Sequence, residues 1–143
     1  MVGNSYTVRN NLSLMLEKLL QEGLPKQYCN VTRSATGGAR FTQHAAQALG
    51  YDSGIPNTNV REHLVTNEQE SWDYVVLQEQ SQIPGFIDYD SLFVPSTHAA
   101  VQLVRMAWKK NSQPIFYVTW GRRNGDRRNP QIYQDFGTMQ TLL

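Results

Sequence analysis

At 143 residues the chain has room for one domain, and 40% hydrophobic with 10% aromatic residues is enough for a core, which excludes a wholly disordered chain. A formal net charge of +1 argues against a general electrostatic partner such as a nucleic-acid backbone, and the longest apolar stretches fall far short of a membrane span. Cys29 stands alone, so no internal disulfide is possible, and so few His and Cys leave no zinc spacing.

Val8 to Glu22 is predicted as one helix, because Val8, Leu12, Met15, Leu16, Leu19 and Leu20 recur at the spacing that gathers a single apolar face. Gly23 and Pro25 supply its stop. Tyr28 to Thr32 reads as a strand, with Cys29 a buried, inert thiol inside it, and Ser34–Gly38 as the turn that ends it. A short helix is expected over Ala39–Leu49, with Phe41, Ala45, Ala48 and Leu49 on its inner side. Tyr51–Asn59 is loop, and Val60–Asn67 a weak helix.

The continuous apolar run Trp72–Leu77 has the pattern of a strand buried on both faces. Pro84 and Gly85 break the stretch after it. Ser96–Lys110 is predicted as a second strong helix whose core side carries Ala100, Val101, Leu103, Val104, Ala107 and Trp108. Ile115–Thr119 reads as another buried strand, and Gln131–Leu143 as the start of a last helix. Strands alternating with helices imply an α/β unit built on a parallel sheet covered on both faces.

In such sheets, sites lie beyond the carboxyl ends of the strands. Gly3-Asn4-Ser5-Tyr6-Thr7 stands immediately before the first helix, where a serine hydroxyl is exposed in the positive potential of the helix start. The plain alternative is that Ser5 or Thr7 caps the helix. At Ser34–Gly38, glycines allow close backbone approach, so a Gly37 or Gly38 N–H could face an oxyanion; an ordinary turn would use the same residues. Gln78 comes at the tip of a strand, where its amide could donate to a substrate oxygen or simply be solvated.

In this order and spacing the three loops resemble the SGNH/GDSL superfamily of serine hydrolases. Gly3-Asn4-Ser5 matches its nucleophile block, Gly37 or Gly38 falls where the second block gives an oxyanion-hole N–H, and Gln78 falls where the third block usually has Asn. Trp72–Ser81, Phe116–Asp126 and Phe136–Gln140 also resemble a poorly characterised SGNH-like subgroup. The resemblance implies a three-layer, flavodoxin-like α/β sandwich and a hydrolase of carboxylic esters, with acyl groups on carbohydrate as one substrate class. It implies Ser5 as nucleophile, with Ser5, Gly37 or Gly38, and Gln78 holding the oxyanion and no metal or organic cofactor required.

The family's last block, Asp-x-x-His, has no counterpart here: no Asp has a His three residues on. His44, His63 and His98 read as structural or surface residues, and only Met1 and Val2 precede Gly3. The expectation is therefore an incomplete SGNH domain over 1–143, without its first strand and its catalytic histidine. The loop Trp120–Asp126 could touch an anionic or sugar-like substrate through Trp120, Arg122, Arg123 and Asn124, or be a solvated arginine loop. Two rival readings stand beside the enzyme. One is a carbohydrate- or acyl-binding module on the same fold. The other is a phosphate or RNA binder using Arg122, Arg123, Arg127 and Arg128, against which the near-neutral charge counts.

Overall fold

The computed structural model describes residues 1–143, in the order β1 (Val2–Gly3), α1 (Ser5–Val8), α2 (Leu12–Gly23), β2 (Ser34–Ala35), α3 (Phe41–Leu49), β3 (Tyr74–Leu77), α4 (Asp90–Lys109), β4 (Gln113–Phe116) and α5 (Phe136–Leu142). The four strands form one all-parallel sheet, ordered β2-β1-β3-β4. The fold is α/β, as the alternation of apolar runs implied.

Successive side chains of a strand face opposite ways, so Val75 and Leu77 share one face of β3 while Tyr74 and Val76 share the other. The first face carries the main core. Val75 and Leu77 are buried there in one cluster with Phe41, Ala45 and Ala48 of α3 and Ala99, Leu103 and Ala107 of α4. Alanines on both helices let α3 and α4 pack against each other and reach the sheet. Leu103 is wholly buried, and its burial stabilises the fold by roughly 1.5–3 kcal/mol. The second face is thinly covered. Tyr74 is 63% exposed, and Leu16 and Leu20 of α2 and Leu24 just after it line a cavity of about 660 Å³ with Val76 and Ile115.

A second, smaller core of Ile83, Phe86, Tyr133 and Met139 holds the C-terminal residues to the loop after β3. Phe86 and Tyr133 stack with ring centroids 5.5 Å apart, and the Tyr133 hydroxyl donates to Gln82 O. Burial pushes that hydroxyl up to about 12.

Several predicted elements are corrected. The first helix is two: Asn10 and Asn11 adopt left-handed φ of 57° and 50°, which asparagine tolerates, and split it between Val8 and Leu12. Its apolar face buries nothing completely, and Leu14, Met15 and Leu19 are exposed. Tyr28–Thr32 is not a strand. Pairing begins only at Ser34, the first residue opposite β1, and Tyr28 is 92% exposed. Cys29 is accordingly half-buried rather than enclosed. The helix expected from Ser96 starts at Asp90 and carries Pro95 inside it. Val101 and Trp108 of that helix are exposed, as is Leu49 at the end of α3. β4 lies at the sheet edge from Gln113 to Phe116, and Ile115 and Phe116, on opposite faces of it, are exposed because each lines an open cavity instead of a packed core.

Candidate active site

The carboxyl end of β1 runs straight into α1, and the turn between them is held by buried polar groups. Asn4 is the N-cap: its Oδ1 accepts from Tyr6 N at 3.2 Å, and its backbone O accepts from Thr7 N and Val8 N, each at 3.0 Å. Its Nδ2 donates to Glu79 O at 3.1 Å and to Ala39 O at 3.4 Å, so the loops after β2 and β3 are both pinned to this one side chain.

Gln78 completes the clamp. Its Oε1 accepts from Asn4 N and from Thr7 Oγ1, both at 3.1 Å, and its Nε2 donates to Glu79 O. The side chain is almost wholly buried. Gln78 therefore holds the turn rather than presenting its amide at the surface where a substrate oxygen would lie. Gly3 is required by the same packing: a Cβ there would collide with Thr7 Oγ1 and stand 2.9 Å from Gln78 Oε1.

Capping by Asn4 decides the state of Ser5. The sequence left Ser5 and Thr7 as possible caps, but Asn4 takes that role and Thr7 bonds to Gln78. Ser5 is half-buried at the first position of α1, and neither its N–H nor its Oγ is engaged by another protein group. Because α1 is a single turn, the field at Ser5 comes from its own few N–H groups and not from a long helix.

Gly37 and Gly38 are exposed in a turn closed by Ala39 N to Thr36 O at 3.3 Å, with Gly38 at φ +73°. The Asn4–Ala39 bond brings this turn beside α1, and no acceptor occupies either glycine N–H.

Trp120 lies edge-on to Tyr6 with ring centroids 5.0 Å apart, so the loop after β4 also reaches the Ser5 turn. Trp120 remains 53% exposed. Arg122 is not free: it pairs with Asp126 at 3.0 Å. Arg123 and Asn124 are exposed, as are Arg127 and Arg128. Asp126, to which sequence reasoning assigned no role, is the buried hub of this loop, accepting from Asn129, Gln82, Arg122 and the Arg128 N–H. Burial alone would push its carboxyl up, but those donors and the Arg122 charge outweigh it and hold the group below the usual carboxylate value.

None of the three histidines bonds Ser5 Oγ. His44 is fully buried in α3, its Nε2 2.8 Å from Gly3 O. A carbonyl can only accept, so Nε2 carries the proton. Burial holds the ring below its ordinary value, against the opposing effect of that bond, which keeps it neutral at pH 7. His63 pairs with Glu70 at 2.8 Å, and His98 is exposed on α4.

Glu79 is the second group that sequence reasoning passed over. Its carboxylate accepts from Phe41 N at 2.9 Å, Gln80 N at 2.5 Å and the Ser96 hydroxyl, joining the end of β3 to the start of α3 and to the second turn of α4. It borders an apolar cavity of about 230 Å³ lined by Phe93, Ala100, Phe116 and Val118. Burial pushes its carboxyl up, with Ser96, Gln80, Phe41 and the Arg40 charge opposing. A glutamate amid a polar run after a strand, Gln78–Ser81, is the only sequence signal that could have found it.

No group of three or more His, Cys, Asp and Glu side chains is placed to hold a metal ion, and no helix is long and apolar enough to cross a membrane. Comparison of the chain with family models, curated proteins and solved structures gives no match.

Proposed function

We propose that this chain carries the nucleophile end of a serine hydrolase acting on carboxylic esters, of the SGNH/GDSL type, with Ser5 attacking the carbonyl carbon. The observation that carries the reading is the free Ser5 hydroxyl. It is held at the carboxyl end of an interior strand by a clamp of Asn4, Thr7 and Gln78 that leaves it unused. The strand order β2-β1-β3-β4 is the one a flavodoxin-like sandwich would have at this stage, and its switch point lies at β1, where Ser5 stands. The free N–H of Ser5 and those of Gly37 and Gly38 are the donors available to an oxyanion; Gln78 acts behind them as a positioning residue.

In this reading Ser5 Oγ forms a bond to the acyl carbon, its proton passes to a base, and the alcohol leaves protonated. Neither His44, bonded to Gly3 O, nor His63, paired with Glu70, is free to be that base, and His98 is exposed on α4 without a bond to Ser5. Trp120, 53% exposed and edge-on to Tyr6, offers one flat aromatic face near the Ser5 turn that suits the face of a sugar ring, favouring acylated carbohydrate as substrate.

The lack of a base beside Ser5 also favours a second reading, a non-catalytic module that binds an acyl or carbohydrate ligand against Trp120. Imidazole supplied in solution separates the two. With p-nitrophenyl acetate and imidazole, the hydrolase reading expects release of nitrophenolate above the imidazole background, lost in Ser5→Ala. Without imidazole, only feeble turnover is expected, equal in both proteins. A module would show no Ser5-dependent release under either condition.

A further inference from the structure

The loop that follows Trp120 separates its charges. Arg122 to Arg128 holds four of the chain's thirteen basic residues and one of its twelve acidic ones, Asp126. Asp126 is turned inward, where Arg122, Gln82, Asn129 and the Arg128 N–H all donate to it. Arg123, Arg127 and Arg128 are exposed, and no carboxylate pairs with any of them. Asp135, further along the chain, is committed to Thr138 N at the start of α5. Three cations thus share one short stretch of surface while the loop's own acid lies buried, which leaves a positive potential that a bound anion would relieve.

The loop is braced. Gly125, at φ +64°, lies so close to Tyr133 that a Cβ would collide with its carbonyl oxygen, and Asp126 N donates to that same oxygen at 2.9 Å. Gln82, in the loop after β3, donates to Asp126 at 3.0 Å. The loop after β3 also carries Glu79 O, which accepts from Asn4 next to Ser5. At its other end Trp120 meets Tyr6. A chain spans at most about 3.6 Å per residue, so Arg123 stands within roughly 11 Å of Trp120, and one ligand can touch both.

We propose that this loop is a subsite for an anionic saccharide, with Trp120 against the face of a sugar ring and Arg123, Arg127 and Arg128 on its carboxylate or sulfate groups. Guanidinium forks match the geometry of both groups and keep their charge at any working pH. The charge balance selects a short ligand. Outside the loop nine basic residues face eleven acidic ones, a net −2, which disfavours a long polyanion whose affinity grows with every phosphate neutralised. The 53% exposed indole of Trp120 supplies an apolar half that a free phosphate ion would not use. The inference rests on the carbohydrate part of the proposed function and not on turnover at Ser5.

The test is calorimetric binding of tetragalacturonate and of a κ-carrageenan tetrasaccharide to the Ser5→Ala chain, in which Ser5 chemistry plays no part. Either acidic saccharide is expected to bind, the tighter one naming the charged group. Changing Arg123, Arg127 and Arg128 together to glutamine is expected to weaken that binding about tenfold, the loss of three exposed charge pairs. Arg105→Gln, at an exposed arginine of α4, is expected to leave it unchanged, and the neutral methyl ester of tetragalacturonate is expected to bind about tenfold more weakly. Equal binding by the methyl ester or by the triple variant would overturn the proposal, as would no binding of either saccharide at millimolar concentration. Tighter binding of oligouridylate would overturn it in favour of a nucleic-acid surface, and equally tight binding of inorganic phosphate in favour of a plain anion site. A failed esterase assay leaves this result standing, and failed binding leaves the role of Ser5 untouched.

Discussion

Replacing Asn4 and Ser5 separately by alanine should have very unequal consequences for stability. Asn4→Ala removes the Oδ1 cap on Tyr6 N, a loss of about 1 kcal/mol for a buried N-cap. It also removes the donor to Ala39 O, whose bond at 3.4 Å is long, so about 1 kcal/mol is the fitting figure for that buried carbonyl. Glu79 O loses Asn4 Nδ2 but keeps Gln78 Nε2, so little is added there. The sum is about 2–3 kcal/mol once a small packing loss at a site 2% exposed is included. Ser5→Ala removes a hydroxyl with no protein partner and should change stability by no more than about 0.5 kcal/mol. Urea unfolding followed by tryptophan fluorescence reads both, as shifts in midpoint at constant slope. A Ser5→Ala loss of 1 kcal/mol or more would mean the hydroxyl is structural, and an Asn4→Ala loss under about 0.5 kcal/mol would mean the clamp is not what holds the turn.

Gly3→Ala should cost about 1–3 kcal/mol, because the added methyl forces Thr7 Oγ1 or Gln78 out of place; a neutral effect in the same urea assay would show the turn is slack. Glu79 has a folded-state value above its ordinary 4.5, so its contribution is fully present below pH 4.5 and is lost as pH rises through the folded value. Glu79→Gln should remove that decline, and parallel pH profiles for the two proteins would contradict the assignment. His44 works with the opposite sign: its lowered value makes its contribution present above its ordinary 6.5 and lost as pH falls, a loss that His44→Gln should abolish in the same titration.

Periodicity located the elements that bury a face and misjudged those that do not. Phe41, Ala45 and Ala48 of α3 and Leu103 and Ala107 of α4 lie in the core, as their spacing implied, because two helices and a sheet compete for that face. The apolar stripe of α2 was equally clear in sequence, but a stripe records only the capacity for burial, and here it faces a cavity. Tyr28–Thr32 has β-type residues yet only one backbone bond toward β1, from Met1 N to Thr32 O, and the ladder begins at Ser34. At the site, the backbone-shaped part was legible: glycine before a serine at the start of a helix announces a tight turn. The buried polar clamp was not. Glu79, His44 and Asp126 look like solvated loop or helix residues in sequence and Gln78 like an exposed donor, whereas folding gives Gln78 the partners Asn4 and Thr7, Glu79 the Phe41 N–H, His44 the Gly3 carbonyl and Asp126 the Gln82 amide.

The position of an acyl group left on the chain tests the account of Ser5. After incubation with p-nitrophenyl acetate and imidazole, peptide mass spectrometry should place acetyl on Ser5 well above the half-buried serines Ser13 and Ser53. Acetyl spread evenly over these serines and the surface lysines, with Ser5 no more reactive than the rest, would contradict it.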